Sequence, residues 1–347
     1  MSDPWGRIAP TTRGRRRDPY VKFTRHFDYF LTNEVNLPKG KIEKLDSSVD
    51  AVYRALRDDT IFPLTVVGKI PQGSWAHKTI INPRKEREFD ADFLLEVEAN
   101  DEWESNPRAY RDAIAASLKR HHRYGSMPQE TKCRCVRVVY AGDFHLDVVP
   151  YVRRAGGEFI VNGDDNVWEA TDPTGFTDWF NGQHRTAGGN LRQVLRILKY
   201  VRDGSDWAGT RSVLLTILAG ERVTLSRSLL TPGCYADVPT TLVTIMEDLD
   251  AYLQANPMKP PMPDPAGSGI GFDHRWDQPT YDRLRTRIHT YTPILRAALD
   301  EEEDKDASLR LWQSVLGDRF VAPPTRSTSP GPFGPVDPVP GRSGRAG

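Results

Sequence analysis

Apolar positions along this chain change their period twice. From Val21 to Thr32, and again through Ile42, Leu45, Val49, Val52 and Leu56, they recur every three or four residues, which predicts two helices. The run Phe62–Ile70 reads as a strand and ends in Pro71-Gln72-Gly73-Ser74, which is turn chemistry. Further strands are predicted over Glu88–Glu98, Thr131–Tyr140 and Asp143–Val152. The last two form a hairpin across Ala141-Gly142, with Phe159–Asn162 as a short edge. Pro107–His122 reads as a helix between them, with Pro in its first turn. Beyond about residue 166 the strand signal stops. Phe176–Phe180, Leu191–Val201, Ser212–Leu218, Leu242–Leu253 and Tyr281–Leu299 all carry helical periodicity.

This order predicts an α+β protein, with a mixed-sheet lobe followed by a helical lobe and a cleft between them. The expected divisions are a flexible arm over residues 1–20, bracing helices over 21–60, a sheet lobe over 61–165, a helical lobe over 166–321 and a disordered tail over 322–347. Both ends are too rich in Pro, Gly and charge to bury a core. No internal repeat is visible.

Composition narrows the function classes. Lys+Arg and Asp+Glu both number 47, so no net field favours a nucleic acid or a membrane, and activation by nucleic acid is not expected. No apolar run approaches the ~20 residues that span a bilayer. The basic N-terminal stretch is not followed by the hydrophobic segment of a secretory signal. Three cysteines, an odd number, argue for a reducing compartment, and the expected location is cytoplasmic.

The candidate chemistry lies in three short stretches. Side chains alternate across a strand, so Asp90 and Asp92 share a face. Two carboxylates so placed repel unless a cation sits between them, and hard oxygen ligands suit Mg²⁺ or Mn²⁺. Asp147, on the neighbouring hairpin, would complete a site for two ions roughly 4 Å apart. Upstream, Gly73 permits a tight turn and close approach of backbone to phosphate oxygens. Ser74 and the amides after it would sit at a helix N-terminus, where anions bind. Gln72 leads into that turn.

These stretches resemble a known family. GSWAHKTIINP (73–83) with FDADFLLEV (89–97) is similar to the nucleotide-binding signature of bacterial cyclic GMP–AMP synthase-like and DncV-like nucleotidyltransferases (CD-NTases), of the DNA-polymerase-β superfamily. FHLDVVPYV (144–152) resembles the strand carrying the family's third metal aspartate. TDPTGFTDWF and GGNLRQVLRILKYVRD (171–203) resemble its spine-helix region, and TRSVLLTILAGE (210–221) the helix after it. The resemblance spans roughly residues 40–318. It implies a polymerase-β-like lobe, two Mg²⁺ or Mn²⁺ ions on Asp90, Asp92 and Asp147, and donor phosphates against Ser74. Lys199 and Ser212 would approach the triphosphate from the helical lobe. It further implies synthesis of a cyclic di- or trinucleotide from NTPs, in anti-phage (CBASS) signalling through a separate effector. Some members are conjugated through a C-terminal Gly by a ubiquitin-like transfer protein, which makes Gly347 a candidate for that modification.

Several alternatives stay open from the residues alone. Lys199 could instead be a solvated helix lysine, and Ser212 a helix cap. Cys133 and Cys135, with His121 and His122, do not form a standard zinc spacing. His77 could touch a nucleotide, and His145 could approach the aspartates. The same fold could make linear oligonucleotides, nucleotidylate protein or RNA, or bind nucleotide without catalysis. Base choice, linkage, ring size and activating signal are not encoded in any motif visible here.

Overall fold

A proline one residue from the end of a strand marks the first strand as an edge. Val66–Gln72 (β1) contains Pro71, pairs only with the antiparallel strand Phe89–Val97 (β2), and therefore needs no outer N–H at that position. The computed structural model describes residues 23–84, 88–207, 209–269, 271–301 and 304–324. Its seven-stranded mixed sheet runs β1, β2, Phe144–Arg154 (β5), Val136–Tyr140 (β4), Gln129–Thr131 (β3). The far half of β5 also pairs with Gly157–Asn162 (β6), which pairs with Val167–Ala170 (β7). Phe159–Asn162 is therefore not an edge: β6 lies between two strands, and β7 was not predicted. Among the described residues only the β2–β5 pairing is parallel.

The alternation along β2 decides what each face does. Phe89, Ala91, Phe93 and Leu95 are buried against Lys39–Arg57 (α2) and Arg108–Arg120 (α4), through Leu45, Val49, Val52, Ile114 and Leu118. Asp90 and Asp92 take the opposite face. Phe144, Leu146 and Val148 of β5 continue the same core, which turns Asp147 to the side of the aspartates on β2. One apolar stripe thus positions three carboxylates.

A second core is helical. Thr24–Phe30 (α1) runs on through a π turn at Leu31–Val35 and packs Phe27 and Phe30 against Trp312, Tyr200 and Phe320. The core gathers Gly175–Thr186 (α5), Leu191–Asp203 (α6), Ser212–Glu221 (α7), Val238–Ala255 (α9), Gln278–Asp300 (α10) and Lys305–Leu316 (α11). The short helix Leu225–Leu230 (α8) carries the exposed Leu225, Leu229 and Leu230. Asp237 and Asp277 cap α9 and α10 by accepting the N–H three residues on, each with Pro in the first turn. Of the two helices preceding β1, α1 belongs to the helical core and α2 to the sheet core. No helix among the described residues is long and apolar enough to cross a membrane.

Candidate active site

The turn after β1 is fixed by close approach. Gln72 is the register partner of Asp92, and Gly73 follows at φ +56°, opening the four-residue helix Gly73–Ala76 (α3). A Cβ on Gly73 would stand 3.3 Å from Asp92 Oδ2, so both conformation and space ask for glycine. Ser74 accepts the Thr79 N–H at 2.8 Å through its carbonyl, and this tightens the loop that follows.

Asp92 and Asp147 are direct partners across the parallel β2–β5 pair, and Asp90 lies one pleat away beside His145. Burial, then Asp147 and Asp90, push the Asp92 carboxyl up to about 7. The cluster is therefore short of positive charge. Arg137, the β4 partner of Asp147, supplies some of it. Its Nε and Nη2 grip the two Asp147 oxygens at 2.7 and 2.8 Å, and Nη2 reaches Asp90 Oδ1 at 2.9 Å. His145 bridges Glu88 (2.5 Å) and Asp90 (3.2 Å). The donor set fits a divalent cation: hard carboxylate oxygens, aligned by sheet register, with Asp92 driven toward its protonated form for want of a counter-charge. As the side chains stand, no three acidic, imidazole or thiol groups among the described residues converge on one cation position. Arg137 draws Asp147 and Asp90 to itself.

The aspartates open on a cleft of about 510 Å³ whose walls come from both cores. Gln72, Gly73, Ser74, Asp90, Asp92, Lys199 and Ser212 all line it, so the structure brings seven of the sequence candidates together. Asp147 sits behind them, 7% exposed, while Gly347 lies outside the described residues. Gln72 turns its amide back to the Pro71 carbonyl at 3.0 Å.

Lys199 is not a solvated lysine. It is 3% exposed, donates to Thr79 O at 3.1 Å and Oγ1 at 2.9 Å, and burial with Arg202 holds its ammonium down to about 7. Ser212 does not cap α7: Arg211 holds the cap position, and Ser212 Oγ accepts from Arg202 Nη1 at 2.9 Å. His77 is packed between Phe176 and Phe180, and burial, Lys199 and Arg192 hold it down to about 4, so it is neutral. Its carbonyl accepts from Arg192 of α6 at 3.0 Å, tying the phosphate turn to the helical core. Cys133 donates to Asn162 at 3.0 Å, and the neighbouring rings of His121 and His122, tilted by 32°, line a separate surface pocket.

Sequence reasoning passed over Arg137, Thr79 and Arg202. Arg137 had a signal, being the one charge within the apolar strand Val136–Tyr140.

Residues 21–183 match the family model described as the Second Messenger Oligonucleotide or Dinucleotide Synthetase domain, a span holding the Gly73-Ser74 turn and all three aspartates. That domain makes the chain similar to the CD-NTases, the nucleotidyltransferases of the cyclic GMP–AMP synthase/DncV-like type. The chain is 32% identical over 157 residues to a c-di-GMP synthase of Roseivirga ehrenbergii, covering 43% of this chain and 41% of that protein. It spans less than half of that relative's length. It is 23% identical over 302 residues to a cyclic AMP-AMP-AMP synthase of an Acinetobacter species, 84% of this chain and 83% of that protein. In fold it is similar to the Bradyrhizobium diazoefficiens CD-NTase CdnG, solved in complex with GTP. The TM-score is 0.66 at 20% identity, covering 88% of this chain and 96% of that one.

Proposed function

We propose that this protein joins NTPs into a cyclic di- or trinucleotide messenger. A ribose hydroxyl of one nucleotide attacks the α-phosphate of a second, forming the P–O bond as the bond to pyrophosphate breaks. A further round between the ends of the linear product closes the ring. The reading is carried by one observation: the Gly73-Ser74 turn and the Asp90/Asp92 strand face Lys199 and Ser212 of the other core across one cleft. The two relatives support it, being a dinucleotide and a trinucleotide synthase.

Asp90, Asp92 and Asp147 would hold Mg²⁺ or Mn²⁺, which supplies charge stabilisation of the transferring phosphoryl group and its leaving pyrophosphate. Ser74 and the backbone of its turn bind and orient donor phosphates. Lys199, once protonated, gives them a fixed point charge in a site shielded from water. Ser212, steadied by Arg202, lines the same wall. The chain's contribution is positioning and electrostatics, which is most of what phosphoryl transfer asks of a protein. The product would act on a separate effector in anti-phage defence.

The test is incubation with all four labelled NTPs and Mg²⁺ or Mn²⁺, with phosphatase treatment and an Asp90→Asn/Asp92→Asn control. A phosphatase-resistant product absent from the control supports the reading. Products that phosphatase shortens would replace it with linear synthesis, and label on protein or RNA with nucleotidylation.

A further inference from the structure

Of the polar contacts that hold Arg137, those to Asp147 and Asp90 are the ones a divalent cation would claim. Nη1 points elsewhere, to His145 Nδ1 at 3.3 Å. Register explains this contact. Arg137 stands opposite Asp147 on β5, so His145, two residues earlier on the same face, is its diagonal neighbour and within reach of a long side chain.

The partners of His145 decide which ring nitrogen does what. A guanidinium only donates, so Nδ1 accepts and the ring proton sits on Nε2. Nε2 faces Glu88 Oε2 at 2.5 Å, and an ionised carboxylate only accepts, which asks for the same tautomer. The other oxygen, Glu88 Oε1, accepts the Gly142 N–H at 2.7 Å. Gly142, Glu88, His145 and Arg137 thus form one chain of hydrogen bonds from the β4–β5 turn to the guanidinium. Asp90 Oδ1 stands 3.2 Å from Nδ1, acceptor against acceptor, and the Arg137 fork joins them with one Nη on each.

A cation arriving at the aspartates cannot simply expel Arg137. Its side chain is 15% exposed, and a guanidinium stripped of its carboxylates there would keep its charge with little water to meet it.

We propose that Glu88 and His145 are positioning residues that keep Arg137 partnered while a divalent cation takes Asp90 and Asp147 from it. This rests on the synthase reading above, which puts the cation on those aspartates. The guanidinium gives up the two carboxylates and stays on His145 Nδ1, and the Glu88 charge behind the ring balances it. Before the cation arrives, the same guanidinium neutralises the aspartates. Cation binding is therefore an exchange between two partnered states of one arginine, and groups that touch no cation set its affinity.

Mn²⁺ binding to the full chain, followed by loss of the free-ion EPR signal, tests this without turnover. The unaltered protein, Arg137→Gln, His145→Leu and the double variant form a cycle. His145→Leu is expected to weaken Mn²⁺ binding roughly tenfold while Arg137 is present. In the Arg137→Gln background it should change binding by less than about twofold, since no guanidinium is left to hold. His145→Asn, whose amide oxygen takes the accepting role of Nδ1, should recover most of the loss. Glu88→Gln, outside the strand, repeats the cycle with the same expected pattern. Equal weakening in both backgrounds would overturn the proposal and make His145 a direct support of Asp90. Unchanged or tighter binding in His145→Leu would overturn it as well. Failure of Mn²⁺ to bind either the unaltered protein or Arg137→Gln would sink the metal reading of the aspartates, and this inference with it.

Discussion

Arg137 and Asp147 face each other across the β4–β5 pair and form a two-pronged ion pair at 2.7 and 2.8 Å, with the same guanidinium reaching Asp90. An arginine thus stands as counter-ion to two of the three candidate metal ligands. Arg137→Gln should lose about 2–4 kcal/mol in EDTA, because the nearly buried Asp147 is left without its partner. Mn²⁺ should restore more stability to the variant than it adds to the unaltered protein. Thermal melts with EDTA and with Mn²⁺ measure both; equal Mn²⁺ effects would refute the exchange.

Gly73→Ala and Gly142→Ala form a matched pair. Both glycines have positive φ, at +56° and +75°, but only Gly73 has a neighbour in the way: Asp92 Oδ2 at 3.3 Å, against nothing within 4 Å of Gly142. Each should cost about 1–2 kcal/mol by denaturant titration through backbone strain alone. Only Gly73→Ala should also lose NTP binding. Loss of binding in both would mean that strain anywhere near the sheet suffices.

Asp92 combines poor stability with a needed charge. Its carboxyl is raised to about 7 in the fold, so between about 4 and 7 the folded protein holds a proton that the unfolded chain has released. Stability falls as pH rises through that window, and the whole penalty applies above it. In EDTA at pH 8, Asp92→Asn should melt higher than the unaltered protein while making no product. A lower melting temperature would show that the asparagine loses more in hydrogen bonds than it gains in charge.

Lys199 should make nucleotide binding a proton-uptake reaction. Its folded value near 7 lies below the ordinary 10.5, so from about 7 to 10.5 the unfolded chain holds the extra proton and stability rises with pH. A triphosphate favours the ammonium and calls that proton back. NTP affinity should weaken as pH climbs above 7. Calorimetry at pH 8 in two buffers of different ionisation enthalpy should report uptake that Lys199→Met abolishes. Identical heats in both buffers would remove Lys199 from the phosphate site.

The α+β class, the cleft and the helices α1, α5, α6, α7, α9 and α10 were legible because each rests on a strong period or an apolar stripe, whereas α11 of the same core was not read. The Asp90/Asp92 face was legible for the same reason: parity alone sets it. Register was not. A two-residue turn at Ala141-Gly142 would pair Arg137 with Leu146, whereas the observed turn spans residues 141–143 and pairs it with Asp147. One residue decides whether the arginine meets a carboxylate or the core. β7 was missed because Val167–Ala170 is only four residues long, none of them buried and without apolar–polar alternation. The burial of Lys199 was not legible for a different reason: helical periodicity locates a lysine on a face but does not reveal that Thr79, 120 residues earlier, will enclose it.

The parallel pairing between β2 and β5 also has a bearing on when, during synthesis, the site can form. Parallel neighbours cannot be joined by a tight turn, so residues 98–143, including α4, β3 and β4, are made before Asp147 can be laid beside Asp92. Lys199 and Ser212 follow later still. Pairings between distant parts of a chain form slowly. A ribosome part-way through this message therefore carries a phosphate turn and two aspartates but no assembled site, and a chain that stalls or is cut short there never brings a third carboxylate to them.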